Sequence, residues 1–544
     1  MDKEKNIYSI LALEKQIEEC EGHEKTTVRL KRARNSLLNV STLIVPEVLG
    51  SIFCWNVITD GEFGGLPKGS YNFLLVCHHW FEVASCTPEL WSFWGNSIRD
   101  WTHRHVRCGT APLDLVLDGD GGQELGDQLR DALRDRAARD SIRQVHLSDH
   151  SGGQPVLTSV ISSIVVEGEE TRSSSVESFI VKSGQGPVVD ASPFFSRYHL
   201  PKLHRLHLSG CSFYAPDLLK SRITTLTTLR IASELSTTPP PSKLLPILSS
   251  NPLLQDLSLS LVPNLYAVDD NGFSLPVPLF HLEYFHLRSY SFNAAFWLLN
   301  RLELPDKMNN LDMLIYGCSS PDVTQTLGPY FGDRIRRRGG FPGGRRRLSV
   351  KYSRGDFNLF VENAHSDDGF PEEYWLAKVH AYVDVSLTDE EAVGKCFDFI
   401  AHIPLEQITE VQTNLPILRS EELCVGMCNL TYLHLLRADL SGYFADPDIR
   451  GLHTFRELLP SLNHLKINGP PLGGDQMGPL TNFLTRRAAV GNRISLFVLI
   501  SHPQLSPEVV ESIERAVGVF ERRGMGWAHC CDHNSCNLCL LYME

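Results

Sequence analysis

Apolar residues in the first forty positions follow a helical period. They recur at three- and four-residue steps among Glu, Lys and Gln, at Ile10, Leu13, Ile17 and Cys20. Gly22 and His23 interrupt this stripe, and a second helical stretch runs from about Thr27 to Leu38. Because the stripe covers fewer than three heptads, it fits either an amphipathic helix packed on its own domain or a short coiled coil that dimerises. We predict a helical leader over residues 1–40 and leave both packing modes open.

Residues 44–94 carry three short helical patterns. The first begins at Pro46, whose missing N–H is no loss at a helix start, and a loop rich in Gly, Asp and Pro follows from Thr59 to Ser70. The second has an apolar stripe at Phe73, Cys77, Trp80, Phe81 and Ala84. The third opens at Thr87-Pro88 and carries Leu90, Trp91 and Trp94. Three short helices with this many aromatic residues have more apolar surface than they can bury alone, which predicts a partner.

A Leu-x-x-Leu-x-Leu pattern dominates the chain after Trp94. Its clearest copies begin at Leu203, Leu226, Leu254, Leu282, Leu430 and Leu462, and weaker copies begin at Ile142 and Leu311. Between the middle positions 206, 229, 257, 285 and 314, the steps are 23, 28, 28 and 29 residues. That period is typical of leucine-rich repeats, in which one strand and one return segment form each turn. Such strands bury their leucines only against stacked neighbours, which predicts one irregular α/β solenoid over residues 110–525.

The ladder of repeats is interrupted between Tyr316 and Ile408. The motif fades there, although the segments that begin at Leu348 and Val379 still alternate as strands do. The same stretch contains an Arg- and Gly-rich run, which we predict to be an exposed loop inserted over residues 332–347. The strand at 494–500 and the segment 507–523 are expected to cap the C-terminal end.

Composition narrows the class of protein. Hydrophobic residues make up 42% and charged residues 21%, the balance of a globular protein with a large core. The net charge of -13 argues against general binding to nucleic acid or to a membrane surface. The first ten residues lack the apolar core of a signal peptide, and no apolar run reaches the roughly 18 residues of a spanning helix. The 14 cysteines are scattered, which favours reduced, buried thiols and a location in the cytosol or nucleus.

No pattern of catalytic residues stands out. The chain lacks the spacings of a phosphate loop, of HExxH and of GxSxG, so we predict a protein that is not an enzyme and needs no cofactor. The tail over residues 526–544 is rich in Cys and His, but its single Cys-x-x-Cys is a weak zinc signal, and we predict a cysteine-bearing tail without metal. The Arg-rich run suits phosphate, RNA or an import receptor, and a solvated loop without a specific partner is the simpler interpretation.

Three segments of residues 41–96, in the right order, carry a family resemblance. Ile44-Val45-Pro46-Glu47-Val48-Leu49 followed by Ile52-Phe53 resembles the opening of F-box domains. Leu75-Val76-Cys77-His78-His79-Trp80-Phe81 resembles their second helix, and Thr87-Pro88-Glu89-Leu90-Trp91 resembles their closing segment. The leader that ends at Leu38 is similar to that of mushroom-type fungal F-box proteins. A generic three-helix bundle is the alternative interpretation.

The resemblance implies a fold and a function. The fold would be an α+β or α/β repeat with a helical leader, a three-helix F-box and the leucine-rich solenoid. The F-box would dock on a Skp-type adaptor that bridges to a cullin, and the solenoid would hold a protein substrate for ubiquitination. The positions that match the adaptor-binding motif are Pro46, Leu49, Ile52, Phe53, Leu75, Val76, Trp80, Leu90 and Trp91. Some of them must form the core of the module itself. Two alternatives are a leucine-rich scaffold outside ubiquitination and a nucleic-acid-associated protein that uses the Arg-rich loop.

Strand alternation indicates where a substrate would bind. In each Leu-x-x-Leu-x-Leu unit the leucines point into the core, so the residues beside the second leucine point outward. The outward positions favoured for substrate binding are Arg205, His207, Arg230, Tyr284, His286, His434 and Lys466. Such a face suits an acidic or phosphorylated peptide, with aromatic side chains as anchors and arginine as the anion fork. An ordinary solvated sheet face is the alternative, and a substrate would then sit on loops or on the C-terminal cap.

Overall fold

The structure, a computed structural model, is a mixed α/β fold in which parallel strands alternate with helices. It has two compact units, one formed by Met1–Leu282 with Arg301–Glu303 and the other by Glu283–Asn300 with Leu304–Glu544. Among the residues that the structure describes, no helix is both long and apolar enough to cross a bilayer. These residues are 2–20, 24–37, 44–62, 72–76, 78–94, 107–118, 131, 133, 136–149, 154–165, 172–184, 189–232, 241–261, 275–306, 308, 310–318, 323–337, 345–353, 356–364, 375–383, 389–415, 420–436, 459–468, 474–500 and 505–523.

Helices and strands succeed one another along the whole described chain. The helices are α1 (Asp2–Glu19), α2 (Glu24–Leu37), α3 (Pro46–Glu62), α4 (His78–Ser85), α5 (Pro88–Trp91), α6 (Arg136–Asp140), α7 (Gln154–Ile164), α8 (Ser192–Arg197), α9 (Ala215–Lys220), α10 (Pro241–Ser249), α11 (Phe292–Leu299), α12 (Gly328–Arg337), α13 (Asp389–Ile400), α14 (Glu421–Gly426), α15 (Gly474–Ala489) and α16 (Pro507–Ala516). The strands are β1 (Phe93–Trp94), β2 (Leu113–Asp118), β3 (Ile142–Asp149), β4 (Arg172–Ser173), β5 (Ser178–Ser183), β6 (Val189–Asp190), β7 (Tyr198–His199), β8 (Arg205–Ser209), β9 (Cys211–Ser212), β10 (Thr228–Ala232), β11 (Asp256–Leu261), β12 (Val277–Pro278), β13 (Tyr284–Ser289), β14 (Leu302–Glu303), β15 (Asn310–Cys318), β16 (Arg345–Ser353), β17 (Asp356–Ala364), β18 (Trp375–Val383), β19 (Glu410–Thr413), β20 (Tyr432–Leu436), β21 (His464–Asn468), β22 (Leu496–Ile500) and β23 (Val519–Arg523).

The leader is a pair of helices packed on each other. α1 and α2 are joined by an ion pair between Arg34 and Glu14 at 3.9 Å and by a hydrogen bond from Thr27 Oγ1 to the carbonyl of Cys20 at 3.0 Å. The predicted stripe at Ile10, Leu13, Ile17 and Cys20 is half-buried, while most of the positions between are exposed. The helical period is therefore confirmed, and the stripe faces the chain itself. Dimerisation through the leader stays a prediction.

The three predicted helices of residues 41–96 are present, with shifted bounds. α3 begins at Pro46 as predicted but continues through Glu62, beyond the expected loop start at Thr59. The second stripe is divided, because a 3-10 turn over Asn72–Leu75 precedes α4, which begins at His78. α5 follows Thr87 with Pro88 at its first position. α3 packs on both α4 and α5, which makes these helices one module.

The first unit contains a sheet of parallel strands in which the leucines of successive repeats stack. Its strand order is β1-β2-β3-β5-β8-β10-β11. Leu206, Leu229 and Leu257 are in register on β8, β10 and β11, and all three are at most 1% exposed. The short pairs β4–β7, β6–β9 and β12–β14 are also parallel. The regular spacing of the leucine motif along the sequence thus corresponds to strands that lie next to one another in the sheet.

Buried polar side chains fasten the turns between strands. Asn251, which is 1% exposed, precedes β11. Its Nδ2 donates to the carbonyls of Ile223 and Ile247 at 3.2 and 2.7 Å, and its Oδ1 accepts from the N–H of Leu226 at 3.0 Å. A buried amide that satisfies three backbone groups ties one turn to the next, since each group would otherwise be left unpaired.

The second unit departs from the repeat where the motif fades. Its strand order is β13-β15-β18-β17-β16-β19-β20-β21-β22-β23. β17 runs antiparallel to both β16 and β18, and every other neighbouring pair is parallel. The strands predicted near Leu348 and Val379 are therefore present, but they belong to an inserted antiparallel hairpin and its return strand. After β22 the chain forms α16 and then β23, so its last described element is a strand.

The predicted exposed loop over residues 332–347 is wrong at both ends. Residues 332–337 belong to α12, and residues 345–347 begin β16. Ile335 is buried, and Arg334 Nη2 donates to the carbonyl of Pro305 at 2.5 Å. Arg347 forms an ion pair with Glu410 of β19 at 2.9 Å. The arginines can lie against the fold because their guanidinium groups find a carbonyl and a carboxylate there. Residues 338–344 and the tail 526–544 lie outside the described residues.

Arg487 has a role in the second unit like that of Asn251 in the first. It lies on α15 and is 1% exposed. Its Nη1 and Nη2 donate to the carbonyls of Leu459 and Leu462, both at 3.1 Å, and its guanidinium lies over the ring of Phe483. Burial lowers the pKa of Arg487 to about 10, so the group is still charged at neutral pH. The side chain therefore holds the turn that leads into β21.

Candidate interaction surfaces

Four of the predicted adaptor-binding residues lie in the core of the helical module. Leu49, Phe53, Leu90 and Trp91 are between 1% and 5% exposed. The Phe53 ring stacks on Phe73 with centroids 4.4 Å apart and lies 5.2 Å from the half-buried ring of Trp80. Trp91 Nε1 donates to the carbonyl of Ala84 at 2.7 Å. As folded, these four side chains hold the module together and cannot make the main contact with a partner.

The other face of α3 is apolar and exposed. Val45 precedes α3, and Val48, Ile52 and Trp55 follow at steps of three, four and three residues, which places them along one face of the helix. Their exposed fractions are 58%, 53%, 50% and 72%. We call these four residues the α3 stripe. Of the predicted contact residues, Ile52 lies in it, Pro46 is exposed beside it, Val76 is half-buried and the Leu75 side chain is not described. Sequence reasoning missed Val45, Val48 and Trp55, although their spacing was visible.

A cleft of about 710 Å³ opens where α3 and α5 meet β2 and β3. Trp55 belongs both to its wall and to the α3 stripe, and Glu47 and Glu89 lie at its sides. In its floor, Arg143 Nε and Nη2 donate to the two carboxylate oxygens of Asp114 at 3.0 and 2.5 Å. Burial raises the pKa of Asp114, and the hydrogen bonds from Arg143 oppose that shift. The cleft thus continues the α3 stripe with a lining of mixed apolar and polar side chains.

The outward face of the sheet in the first unit has the orientation that strand alternation predicts. On β8, Arg205 is exposed and His207 is half-buried, while Leu206 and Leu208 between and after them are buried. Three outward rows cross the strands in register. They are Gln144–Ser178–Arg205–Thr228–Asp256, His146–Ile180–His207–Arg230–Ser258 and Ser148–Lys182–Ser209–Ala232–Ser260, with the last member inferred from the β10–β11 register.

Of the two arginines predicted in this outward face, Arg230 is already paired with an acid of the chain. Its Nη2 and Nε donate to Asp256 Oδ2 on the neighbouring strand at 2.5 and 3.2 Å. The guanidinium is therefore already paired with a carboxylate, and a ligand anion would have to compete with it. Asp256 was itself visible in the outward row, but its reach to Arg230 depends on the strand register.

Positive charge collects around His207. The pKa of His207 is lowered from its ordinary 6.5 to about 4, chiefly by burial and in addition by the charges of Lys182, Arg230 and His146. A neutral imidazole at physiological pH surrounded by cationic groups marks a point of positive potential on the sheet. Sequence reasoning missed Lys182, because the repeat copy Val176-x-x-Phe179-x-Val181 contains no leucine. It also missed His146, although the weaker copy that begins at Ile142 had been recognised.

The titration of His207 provides a test of this environment. We expect its ring protons to titrate with a midpoint near 4 in NMR spectra of histidine-labelled protein. Because the folded pKa lies below the unfolded one, the unfolded state binds more protons, and the free energy of unfolding should fall as the pH drops from 6.5 towards 4. Lys182→Ala should raise the pKa of His207, while Lys243→Ala, an exposed position on α10, should leave it unchanged. A midpoint above 6 would contradict the placement.

The predicted binding residues of the second unit have a different character. His286 Nδ1 lies 3.1 Å from Asp312 Oδ2, its in-register neighbour on β15, and Tyr284 is 44% exposed. His434 and Lys466 are in register on β20 and β21. The Tyr432 ring lies 6.5 Å from that of His434 and 6.4 Å from that of His464, and burial raises the pKa of Tyr432. This half of the predicted row is an aromatic and imidazole surface rather than a set of free cations.

Two of the described thiols are buried in the core of the strand array. Burial raises the pKa of Cys211 to about 12 and also raises that of Cys396. Such thiols stay protonated and unreactive at neutral pH. Within the described ranges, no group of three or more His, Cys, Asp or Glu side chains could hold a metal ion. The Cys- and His-rich tail lies outside those ranges. A tail without bound zinc therefore stays a prediction from the sequence.

The comparisons with known proteins assign no function to these surfaces, so their function has to be inferred from their chemistry. No family model matches the chain, and the search of curated proteins found no match. The α3 stripe and the outward rows of the sheets are thus the two features from which a function has to be inferred. The first is apolar and lies on a helical module, and the second is polar and lies on strands.

Proposed function

We propose that the chain is an F-box-type substrate adaptor of a cullin–RING ubiquitin ligase in the cytosol or nucleus. Residues 41–96 would dock on a Skp-type adaptor, and the strand array over residues 110–525 would be an irregular leucine-rich solenoid that holds a protein substrate. The observation that carries the proposal is the α3 stripe, because a solvent-facing row of Val, Ile and Trp on a small helical module needs a partner to cover it.

The geometry of the module supports this docking role. α3 buries Leu49 and Phe53 on one side and exposes the stripe on the other, so the helix is apolar on two faces. A helix at the surface of a monomer needs only one apolar face, which is the face that packs on the core. Large apolar side chains at an exposed helix face are the usual anchors of a protein interface, with Trp among the most effective. The cleft beside Trp55 would extend the contact to polar groups of the same partner.

The strand array supports the substrate-holding role. Between positions 206 and 314 its parallel strands follow the 23- to 29-residue steps of the Leu-x-x-Leu-x-Leu pattern, and outward rows cross β3 to β11 in the first unit and β19 to β22 in the second. Repeat arrays use such extended faces for binding. The protein would supply no chemistry and would act by proximity, since holding a substrate lysine near a reactive thioester raises its effective concentration.

Two charges introduced into the α3 stripe test the docking role. We expect Val48→Glu combined with Ile52→Glu to weaken binding to a purified Skp-type adaptor by at least about 100-fold, because two anchor positions each cost about 2 kcal/mol or more. The melting temperature should change little, since both side chains are at least half exposed. Calorimetric titration gives the affinity, and thermal unfolding gives the stability.

Val425→Glu is the matched control, because Val425 is 57% exposed on α14 in the other unit. Unchanged adaptor affinity in the double variant would refute docking through the α3 stripe. Recovery of the adaptor without a cullin would favour the scaffold alternative outside ubiquitination. The described ends of the Arg-rich run do not favour the nucleic-acid alternative, because Pro305 and Glu410 already hold Arg334 and Arg347.

A further inference from the structure

Three neighbouring strands of the first unit bring cationic side chains together on the outward face. His146 on β3, Lys182 on β5 and His207 on β8 surround Ile180, which is the in-register neighbour of both histidines. Strands lie about 4.8 Å apart, so the two histidines are separated by about 10 Å across Ile180. Arg205 is exposed on β8, two residues before His207. We call His146, Lys182, Arg205 and His207 the β3–β8 patch.

Lys182 and Arg205 are the permanent cations of the β3–β8 patch. Among the acids nearby, Asp256 holds Arg230 and Asp114 holds Arg143, while the Glu177 carboxylate lies near that second pair. Among the described residues, no acidic side chain forms an ion pair with Lys182 or Arg205. The two cations thus keep their charge available on a face that also carries imidazole N–H groups.

We propose that the β3–β8 patch binds the carboxylates of an acidic, unphosphorylated segment of the protein substrate. This inference rests on the proposed function, because it assumes that the chain binds a protein substrate. It adds the chemical class of the substrate segment that the first unit recognises. Lys182 and Arg205 are the cations that pair with Asp or Glu side chains of the segment. His207 donates an N–H group to the same carboxylates, and Ile180 gives an apolar floor beside it.

Carboxylate fits the patch better than phosphate does. Lys182 is in register with Ser209, four residues beyond Arg205, so the two cations lie about 13 Å apart along the strands. One compact phosphate group cannot contact both cations. Carboxylates spaced along a segment can do so, because each cation then pairs with a different side chain.

Binding of a carboxylate also changes the protonation of His207. The neighbouring cations and burial keep this imidazole neutral, and an anion beside it favours the charged form. Ligand binding should therefore take up a proton and become tighter as the pH falls. The charged and titratable groups that face His207 are His146 on β3, Lys182 on β5 and Arg230 on β10.

The test uses the full chain and three fluorescent peptides of one length. The first alternates Glu with Gly and Ser, the second has Gln for Glu, and the third has phosphoserine for Glu. We expect the Glu peptide to bind in anisotropy titrations, the Gln peptide to bind at least about tenfold more weakly, and added salt to weaken the Glu peptide. Lys182→Gln with Arg205→Gln should weaken the Glu peptide by about tenfold or more.

Lys220→Gln with Lys243→Gln is the matched control, since both lysines lie on helices of the same unit and the same charge is removed. Its affinity for the Glu peptide should stay near that of the unaltered chain. Between pH 7.5 and 5.5 the Glu peptide should bind more tightly, and His207→Gln should abolish this change. Thermal unfolding of each variant shows that a loss of binding is not a loss of fold.

Three results would overturn the proposal. They are equal affinity for the Glu and Gln peptides, equal loss in the test and control variants, and a phosphoserine peptide that binds tenfold more tightly than the Glu peptide through Lys182. Adaptor affinity, measured on the same proteins, separates this inference from the proposed function. Lost peptide binding with intact adaptor binding would leave the function standing. Peptide binding in a chain that does not bind the adaptor would leave the patch standing and remove the ligase role.

Discussion

Replacing Gly332 by alanine is expected to destabilise the second unit by about 3 kcal/mol or more, the upper range for overpacking a rigid site. A Cβ at this position would lie 2.0 Å from the carbonyl oxygen and 2.8 Å from the carbonyl carbon of His402. Both atoms belong to the backbone of the turn after α13, so no side-chain rotation can relieve the clash. α12 would have to move away from α13, on which it packs.

Gly394→Ala is the matched control for Gly332→Ala. Gly394 lies in α13 of the same unit, and nothing lies within 4 Å of a Cβ built there. Alanine is favoured over glycine in a helix by about 1 kcal/mol, so this variant should be neutral or more stable. Chemical denaturation gives both free energies of unfolding, and hydrogen exchange in α12 locates the effect. If the two variants unfold alike, the close approach of α12 to His402 does not exist.

The same pair of variants decides between the two descriptions of the Arg-rich run. If residues 332–347 were an exposed loop, alanine at 332 would have open space around it and would cost little. In the structure Gly332 is a buried helical residue at a backbone contact. The sequence indicated a loop because this run contains many arginines and glycines close together. It could not show that Phe331 and Ile335 on the same helix are buried, or that the Phe331 ring lies against Phe399 of α13.

The regular strands could be predicted because the buried positions of each strand alternate within its own short stretch of sequence. A strand whose alternate positions are buried must carry apolar residues at those positions, and Leu206, Leu229 and Leu257 do so. The pairing of β15 with β18, rather than with the next strand β16, could not be read in this way. Antiparallel and parallel strands show the same alternation, and only the long-range packing selects between them.

The candidate surfaces could be predicted only in part. The outward orientation of His207 and Arg230 followed from alternation and is found in the structure. The pairing of Arg230 with Asp256 required the register of two strands, which no single repeat copy contains. In the helical module, the apolar pattern marks both core and partner-binding positions. Which apolar residues face inward depends on the angles at which the three helices pack, and a sequence does not contain those angles.

Substitutions of two tryptophans distinguish the stability of the module from its docking role. Trp91→Ala is expected to destabilise the module by about 3–5 kcal/mol, the usual cost of removing a buried aromatic side chain. Trp91 is 5% exposed, its Nε1 donates to the Ala84 carbonyl at 2.7 Å, and the Arg107 guanidinium lies 4.5 Å from its ring. Loss of the ring leaves a cavity and removes the hydrogen bond that the indole N–H donates to the Ala84 carbonyl. Adaptor binding should be lost together with the fold of α3, α4 and α5.

Trp55→Ala is the counterpart at the surface. Trp55 is 72% exposed, so its removal should leave the melting temperature nearly unchanged while adaptor affinity falls by about tenfold or more, as for an interface anchor. Circular dichroism during heating and titration with the purified adaptor measure the two properties on each variant. Leu49→Ala should behave as Trp91→Ala does, because Leu49 is 1% exposed. If Trp55→Ala unfolds as readily as Trp91→Ala, or if Trp91→Ala retains both stability and affinity, the division of the module into a core and an α3 stripe is wrong. If both variants keep their affinity, the partner docks on another face of the chain.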